Sequence, residues 1–225
     1  QLDWQDRKAA SFCLSPGFCG YLPPSSRVGA PVVGDLRADV AGTAITGHVG
    51  DSLASTLTLG SAIAISGAAV NPNMGYHSSP AVTFLLTLFD ARLGWWLPNP
   101  SHLMRPQADS TPFFGRWLIA EMLGRTHDGG KFVHLSDGGH FENLGLYELV
   151  RRRCRFILCV DAAADPERSF ADLGNAVQKC RVDFGVDIKL DVTALRPQAN
   201  DLAARSCAVG TIEYLDGSRG TLLYV

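Results

Sequence analysis

Nowhere in these 225 residues do the roughly 18 consecutive apolar residues that a helix needs to cross a bilayer occur, and the first residues form neither a basic nor an apolar leader. The chain is therefore expected to be soluble or peripheral to a membrane, in a cytoplasmic setting or at its membrane surface. Runs of positive charge are also missing: nothing exceeds Arg151-Arg152-Arg153, and 20 basic against 22 acidic side chains leave a net charge of −2. That balance gives no footprint for nucleic acid, so no nucleic-acid partner is expected. The six cysteines (13, 19, 154, 159, 180 and 207) contain no C-x-x-C pair. Cys159 lies inside the apolar run Phe156-Ile157-Leu158-Cys159-Val160, where a thiol acts as a small hydrophobe. Reduced thiols are expected, not a disulfide framework. Internal repeats are absent.

What is present is an ordinary globular composition, 46% hydrophobic and 19% charged, and a single domain over 1–225 is expected. Residues 1–56 are rich in turn formers (Ser15-Pro16-Gly17, Pro23-Pro24-Ser25-Ser26) and read as loop-dominated surface. Small residues dominate 57–70, which predicts a buried helix that approaches its neighbours closely. Val82, Leu85, Leu86 and Phe89 recur at helical spacing and predict a packed helix over 79–92. Gly94-Trp95-Trp96-Leu97-Pro98 is read as its end, with the tryptophans in a satellite core, followed by a long Pro-rich connection to Pro112.

Between 131 and 161 the pattern is strand, helix, strand. Phe132, Val133 and Leu135 mark the first strand, Leu146, Leu149 and Val150 the buried face of a helix over 143–153, and 156–160 a continuous apolar strand. Such a run is typical of a parallel sheet covered on both faces, and the succession predicts a βαβ unit. A helix over 170–180 follows, with Ser169 and Asp172 as an expected capping box. Strands are expected over 186–192, 209–215 and 222–225, the later ones pairing antiparallel through Asp216-Gly217.

Functional groups in open α/β sheets gather just beyond the carboxyl ends of strands, where Ser136-Asp137-Gly138-Gly139-His140 stands. Glycines after an acid permit positive φ and close approach of the backbone to a substrate, while a strand end holds the carboxylate. The plain alternative is a structural turn. His134, Asp137, His140, Glu142 and Asp161 also include metal-ligating types, but H-x-E lacks the spacing of two histidines on one helix face and no cysteine pair supports zinc. No metal and no cofactor are expected.

The longer string Asp137-Gly-Gly-His-Phe-Glu-Asn143-Leu-Gly-Leu-Tyr-Glu-Leu resembles the second active-site block of patatin-like proteins and of cytosolic phospholipase A2. In that family an Asp-Gly-Gly or Asp-Gly-Ala turn, followed by Asn and usually Pro, carries the acid of a Ser–Asp dyad. Asn143 matches, whereas Gly145 stands where Pro is usual. The strand ending in Asp161-Ala162-Ala163 is similar to the phospholipase pattern, and Ala62-Ile63-Ala64-Ile65-Ser66-Gly67-Ala68-Ala69-Val70-Asn71-Pro72 resembles the family's small-residue A-x-S-x-A-x-P block, which packs near the site without supplying the nucleophile. The resemblance spans about 57–185, leaving 186–225 as terminal strands. It implies an α/β three-layer sandwich with a mainly parallel central sheet, lipid or ester substrates, contact with a membrane surface, Asp137 as the catalytic acid–base group, and Gly138, Gly139, His140 and Asn143 around the substrate.

One element of that pattern is missing. A nucleophile elbow reads G-x-S-x-G, because the glycines relieve crowding where a strand turns sharply into a helix. No serine here satisfies it: Ser52, Ser66 and Ser218 each lack a required glycine. The family's glycine-rich oxyanion loop is absent too. The chain also begins at Gln1 and ends in the apolar run Thr221–Val225, so it is expected to be the C-terminal part of a longer patatin-like protein whose serine lies upstream. The implied function is lipid acyl hydrolysis, with a catalytically inactive lipid- or partner-binding module as the alternative.

Overall fold

The computed structural model describes residues 9–15, 18–20, 58–68, 94–98, 132–197 and 203–225. The helix expected over 79–92, the connection to Pro112 and most of the loop-rich 1–56 lie outside them. The chain divides into two compact units, with a boundary between Phe141 and Glu142. Its described residues show a mixed α/β architecture.

In the unit that ends at Phe141, β1 (Cys13–Ser15) and β2 (Phe18–Gly20) form an antiparallel pair. Helix α1 (Leu59–Ser66) starts at Thr58, whose hydroxyl accepts the Ser61 N–H at 3.1 Å and so satisfies one of the orphan donors of the first turn. The expected burial of this helix is not what the structure shows. Leu59 is 78% and Ile63 64% exposed, and within the helix only Ile65 is buried, because apolar residues surround it on all sides and just one stripe meets a core. Residues 95–98, read as a helix terminator, instead form β3 (Trp95–Pro98), antiparallel to β4 (Phe132–Leu135). β4 alternates, with Val133 and Leu135 turned inward to meet Leu97 and Ile65 in one core cluster, alongside half-buried Phe12 and Leu14. Burying an aliphatic side chain of this size contributes about 1.5–3 kcal/mol, which ties strand, helix and N-terminal pair together. Trp96 lies opposite His134, and their rings meet edge-on at 4.9 Å.

The unit from Glu142 onward contains α2 (Leu146–Arg151), β5 (Phe156–Cys159), α3 (Ala171–Phe184), β6 (Asp187–Lys189), β7 (Ala208–Glu213) and β8 (Arg219–Tyr224). Its sheet runs β5-β8-β7-β6, with β5 parallel to β8 and the other pairs antiparallel. β7 and β8 form the hairpin expected at Asp216-Gly217: Gly217 takes φ 81°, Tyr214 N–H donates to Ser218 O, and the Asp216 carboxylate accepts both the Ser218 N–H and its hydroxyl. The core is built on Leu146, Val150, Ile157, Cys180, Ile212 and Leu222, each fully buried. Helices α2 and α3 pack against each other, α3 presenting Leu173, Ala176 and Cys180 at three- and four-residue spacing.

Three local expectations are corrected here. The parallel partner of β5 among the described residues is not β4: β4 pairs with β3 and β5 with β8. Periodicity finds the strands but carries no information on their partners. β5 is not covered on both faces either. Ile157 and Cys159 are buried, while Phe156 is 63%, Leu158 53% and Val160 61% exposed. Finally, α3 does not use Ser169 as a cap. Phe170 occupies the cap position at φ 55°, and the Asp165 carboxylate accepts from Ser169 N–H and hydroxyl and from Phe170 N–H. Those bonds hold Asp165 below the usual carboxylate range.

Candidate functional site

β4 ends at Leu135, and the chain then folds into a single 3-10 turn over Gly138–His140. Asp137 caps that turn: its Oδ1 accepts the Gly139 N–H at 2.8 Å, while Oδ2 has no hydrogen-bond partner among the described residues. Two backbone bonds, His140 N–H to Asp137 O at 3.2 Å and Phe141 N–H to Gly138 O at 3.0 Å, complete it. Ser136 Oγ and His140 Nδ1 lie 3.2 Å apart and close the turn from its open side. Asp137, Gly139 and His140 are half-buried and Gly138 is exposed, so the carboxylate is neither sealed in a core nor fully solvated.

The glycines act differently from the reading by sequence. Neither Gly138 nor Gly139 takes a positive φ; the left-handed residue is Gly145, at φ 68°, immediately before α2. What Gly139 supplies is an N–H unobstructed by a side chain, aimed at Asp137. At Gly138 an added methyl would meet Ser66 Oγ at 3.9 Å, an ordinary contact, so the end of α1 lies against the turn. Ser66, in the small-residue block, thus lies near Gly138 of the turn.

Asn143 falls in the unit beyond the boundary, where its amide donates to Asp172 Oδ2 on α3 at 2.9 Å. This bond ties the loop before α2 to the first turn of α3. Glu142, among the metal-ligating types weighed in the sequence, is buried and organises the same loop, accepting from Leu144 N–H at 2.6 Å and Tyr147 N–H at 3.2 Å. It caps α2 in place of Gly145, which has no side chain to do so. Burial pushes the Glu142 carboxyl upward, with the two backbone donors and Lys179 opposing and Asp172 adding to the rise.

Asp161, the acid just after β5, is occupied structurally: one oxygen accepts the Tyr224 phenol and the other the Ala163 N–H at 3.0 Å, while its own N–H bonds Val225 O at 2.9 Å. Desolvation, followed by that hydrogen bond, pushes the Tyr224 phenol up. Among the described residues no three His, Cys, Asp or Glu side chains stand close enough to share a metal ion, and no helix is long and apolar enough to cross a membrane.

The sequence motif could point to Asp137 because an acid followed by glycines has a local logic. It carried no signal for the Ser136–His140 contact, since a Ser and a His four residues apart meet only if the intervening chain coils into a turn. Comparison with protein-family models, with curated proteins and with solved structures finds no match to this chain.

Proposed function

We propose that Asp137 is the acid–base carboxylate of a patatin-like lipid acyl hydrolase, acting on a serine supplied by polypeptide outside this sequence. The single observation that carries the reading is the Asp137-Gly138-Gly139 turn at the end of β4, with one carboxylate oxygen fixed by the Gly139 N–H and the other unpartnered among the described residues. A carboxylate held in this way has one face organised by the protein and one available to a hydroxyl. The family resemblance supplies the substrate class, a lipid or ester at a membrane surface, and the three-layer sandwich into which the mixed α/β units would fit.

In this reading Asp137 takes the proton from the serine hydroxyl as Oγ bonds to the ester carbonyl carbon. The carbonyl electrons move onto oxygen, stabilised by backbone N–H groups that the family supplies from its glycine-rich loop. Collapse of that intermediate breaks the bond to the leaving alcohol, which receives the proton from Asp137. Water then enters by the same sequence and releases the acid. His140 stands beside the turn as a substrate-contacting group, and Gly138 leaves room for a close approach. Asn143 serves the reading less directly, through its bond to Asp172.

The test is a fluorogenic-ester assay on the natural gene product. Asp137→Ala is expected to lose about 100-fold or more in turnover, the scale of a positioned acid–base group. Unchanged turnover rejects the role. The 225-residue chain by itself should be inactive, and turnover from it would show that the nucleophile had been sought in the wrong place. A second reading, a non-catalytic lipid- or partner-binding module, draws on the missing G-x-S-x-G. It predicts vesicle binding by the gene product without hydrolysis.

A further inference from the structure

Ser136 has no place in the motif that drew attention to Asp137, yet it is the residue that closes the turn. A 3-10 turn of three residues has poor hydrogen-bond geometry and rarely holds itself together over longer runs. Here its two backbone bonds, at 3.2 and 3.0 Å, are supplemented by two side-chain contacts: Asp137 Oδ1 with Gly139 N–H at 2.8 Å inside the turn, and Ser136 Oγ with His140 Nδ1 at 3.2 Å across its ends. The second contact joins Ser136, which precedes the capping Asp137, to the last residue within the turn. Ser136 and His140 are both half-buried, so water competes only in part for this bond.

We propose that Ser136 is a positioning residue: by holding the His140 imidazole it keeps the turn closed and the Asp137 carboxylate fixed on the Gly139 N–H. This rests on the acid–base reading of Asp137 and deepens it, because it assigns to a neighbouring hydroxyl the geometry on which that carboxylate depends. Ser136 touches no reacting atom in this scheme; it acts through His140. The imidazole is thereby held at one nitrogen, leaving Nε2 as the end that can face a substrate.

The test has two arms. On the chain itself, backbone hydrogen exchange and the imidazole nitrogen resonances of His140 are compared for wild type, Ser136→Ala and Ser136→Thr. Losing one net hydrogen bond should speed exchange at Gly139 about 3- to 10-fold in Ser136→Ala and move the His140 Nδ1 resonance, with Ser136→Thr restoring both. An unmoved resonance or unchanged exchange overturns the inference whatever the catalytic result. On the natural gene product, Ser136→Ala should lower kcat with KM within about twofold, as expected for a group that matters in the transition state and not in binding. Ser136→Thr should recover most of that loss. Should Ser136→Ala match wild type in kcat while Asp137→Asn abolishes turnover, the positioning role fails and the hydrolase reading stands. If Asp137→Asn keeps full turnover, both fail together. A variant of Ser136 that does not fold would be replaced by Ser136→Cys, which keeps the size and weakens the hydrogen bond, with the same outcomes read.

Discussion

Tyr147 on α2 and Asp183 on α3 meet through a 2.8 Å hydrogen bond from phenol to carboxylate, with both residues buried. The Tyr147 ring also packs on Phe184 at 4.6 Å between centroids, so one side chain joins the two helices by apolar and polar contact at once. Tyr147→Phe keeps the ring and removes the donor facing a buried carboxylate. The expected cost is about 1–2 kcal/mol, because the loss of a bond to a charged acceptor is felt more than that of a neutral one. Urea unfolding should show a lower midpoint at unchanged slope. An unshifted midpoint would mean that the helices are held together without this bond.

Glu142 gives a pH signature. Burial holds its carboxyl above the ordinary value of 4.5, so the folded chain favours the neutral form more than the unfolded chain does. The stability it contributes is therefore fully present below 4.5 and is lost as pH rises through the raised folded value. Glu142→Gln removes the titration while keeping an acceptor for Leu144 or Tyr147. The stability of wild type relative to this variant should fall as pH is raised from below 4.5 toward neutrality. A difference that instead grows with pH would mean that the donors and Lys179 outweigh desolvation.

Much of the second unit could be read from sequence because its elements carry local signals. The β7–β8 hairpin follows from Asp216-Gly217 between two alternating runs, and α3 from the spacing of Phe170, Leu173, Val177 and Cys180, although the structure buries Ala176 and not Val177. The pairing of β5 with β8 across more than sixty residues has no such signal, nor has that of β3 with β4, whose residues 95–98 read as the end of a helix. At the candidate site Asp137 was visible as an acid before glycines. The parts supplied by Ser136 and Asp165 were invisible, because each depends on how a loop coils and not on a period. The capping box at Ser169 failed for the same reason: Asp165, four residues earlier, takes the Ser169 N–H that Asp172 would have accepted.

Thiol reactivity should separate the cysteines by environment. Burial, then the charges of Glu142 and Asp161, push the Cys159 thiol up to about 11, and burial drives Cys180 higher still. At pH 8 a thiol at about 11 is ionised roughly once in a thousand molecules, and the thiolate is the reactive form. Cys159 and Cys180 are therefore expected to label with an aromatic disulfide reagent only on unfolding, while the half-buried thiols Cys154 and Cys207 label in the folded chain. Mass mapping of the modified peptides over time provides the check. Rapid labelling of Cys180 would show that α3 opens readily.

Glycine substitutions rank the backbone constraints, and the order they take tests the geometry directly. At Gly138 an added methyl meets only Ser66 Oγ at 3.9 Å, so Gly138→Ala should change stability by less than about 0.5 kcal/mol. At Gly145 there is open space but φ is 68°, so Gly145→Ala should cost about 1–2 kcal/mol through backbone strain alone. Proline, usual at this position in the patatin-like pattern, locks φ near −65° and cannot adopt that conformation, so Gly145→Pro should cost about 3 kcal/mol or more. At Gly210 a methyl would stand 2.7 Å from the Lys189 carbonyl oxygen on the adjoining strand, where backbone cannot move aside without breaking the β6–β7 ladder. Gly210→Ala should therefore cost about 1–3 kcal/mol despite its unstrained φ. Denaturation midpoints of the four variants settle the order, and a Gly145→Pro chain as stable as wild type would mean that the left-handed bend before α2 is not the conformation this loop requires.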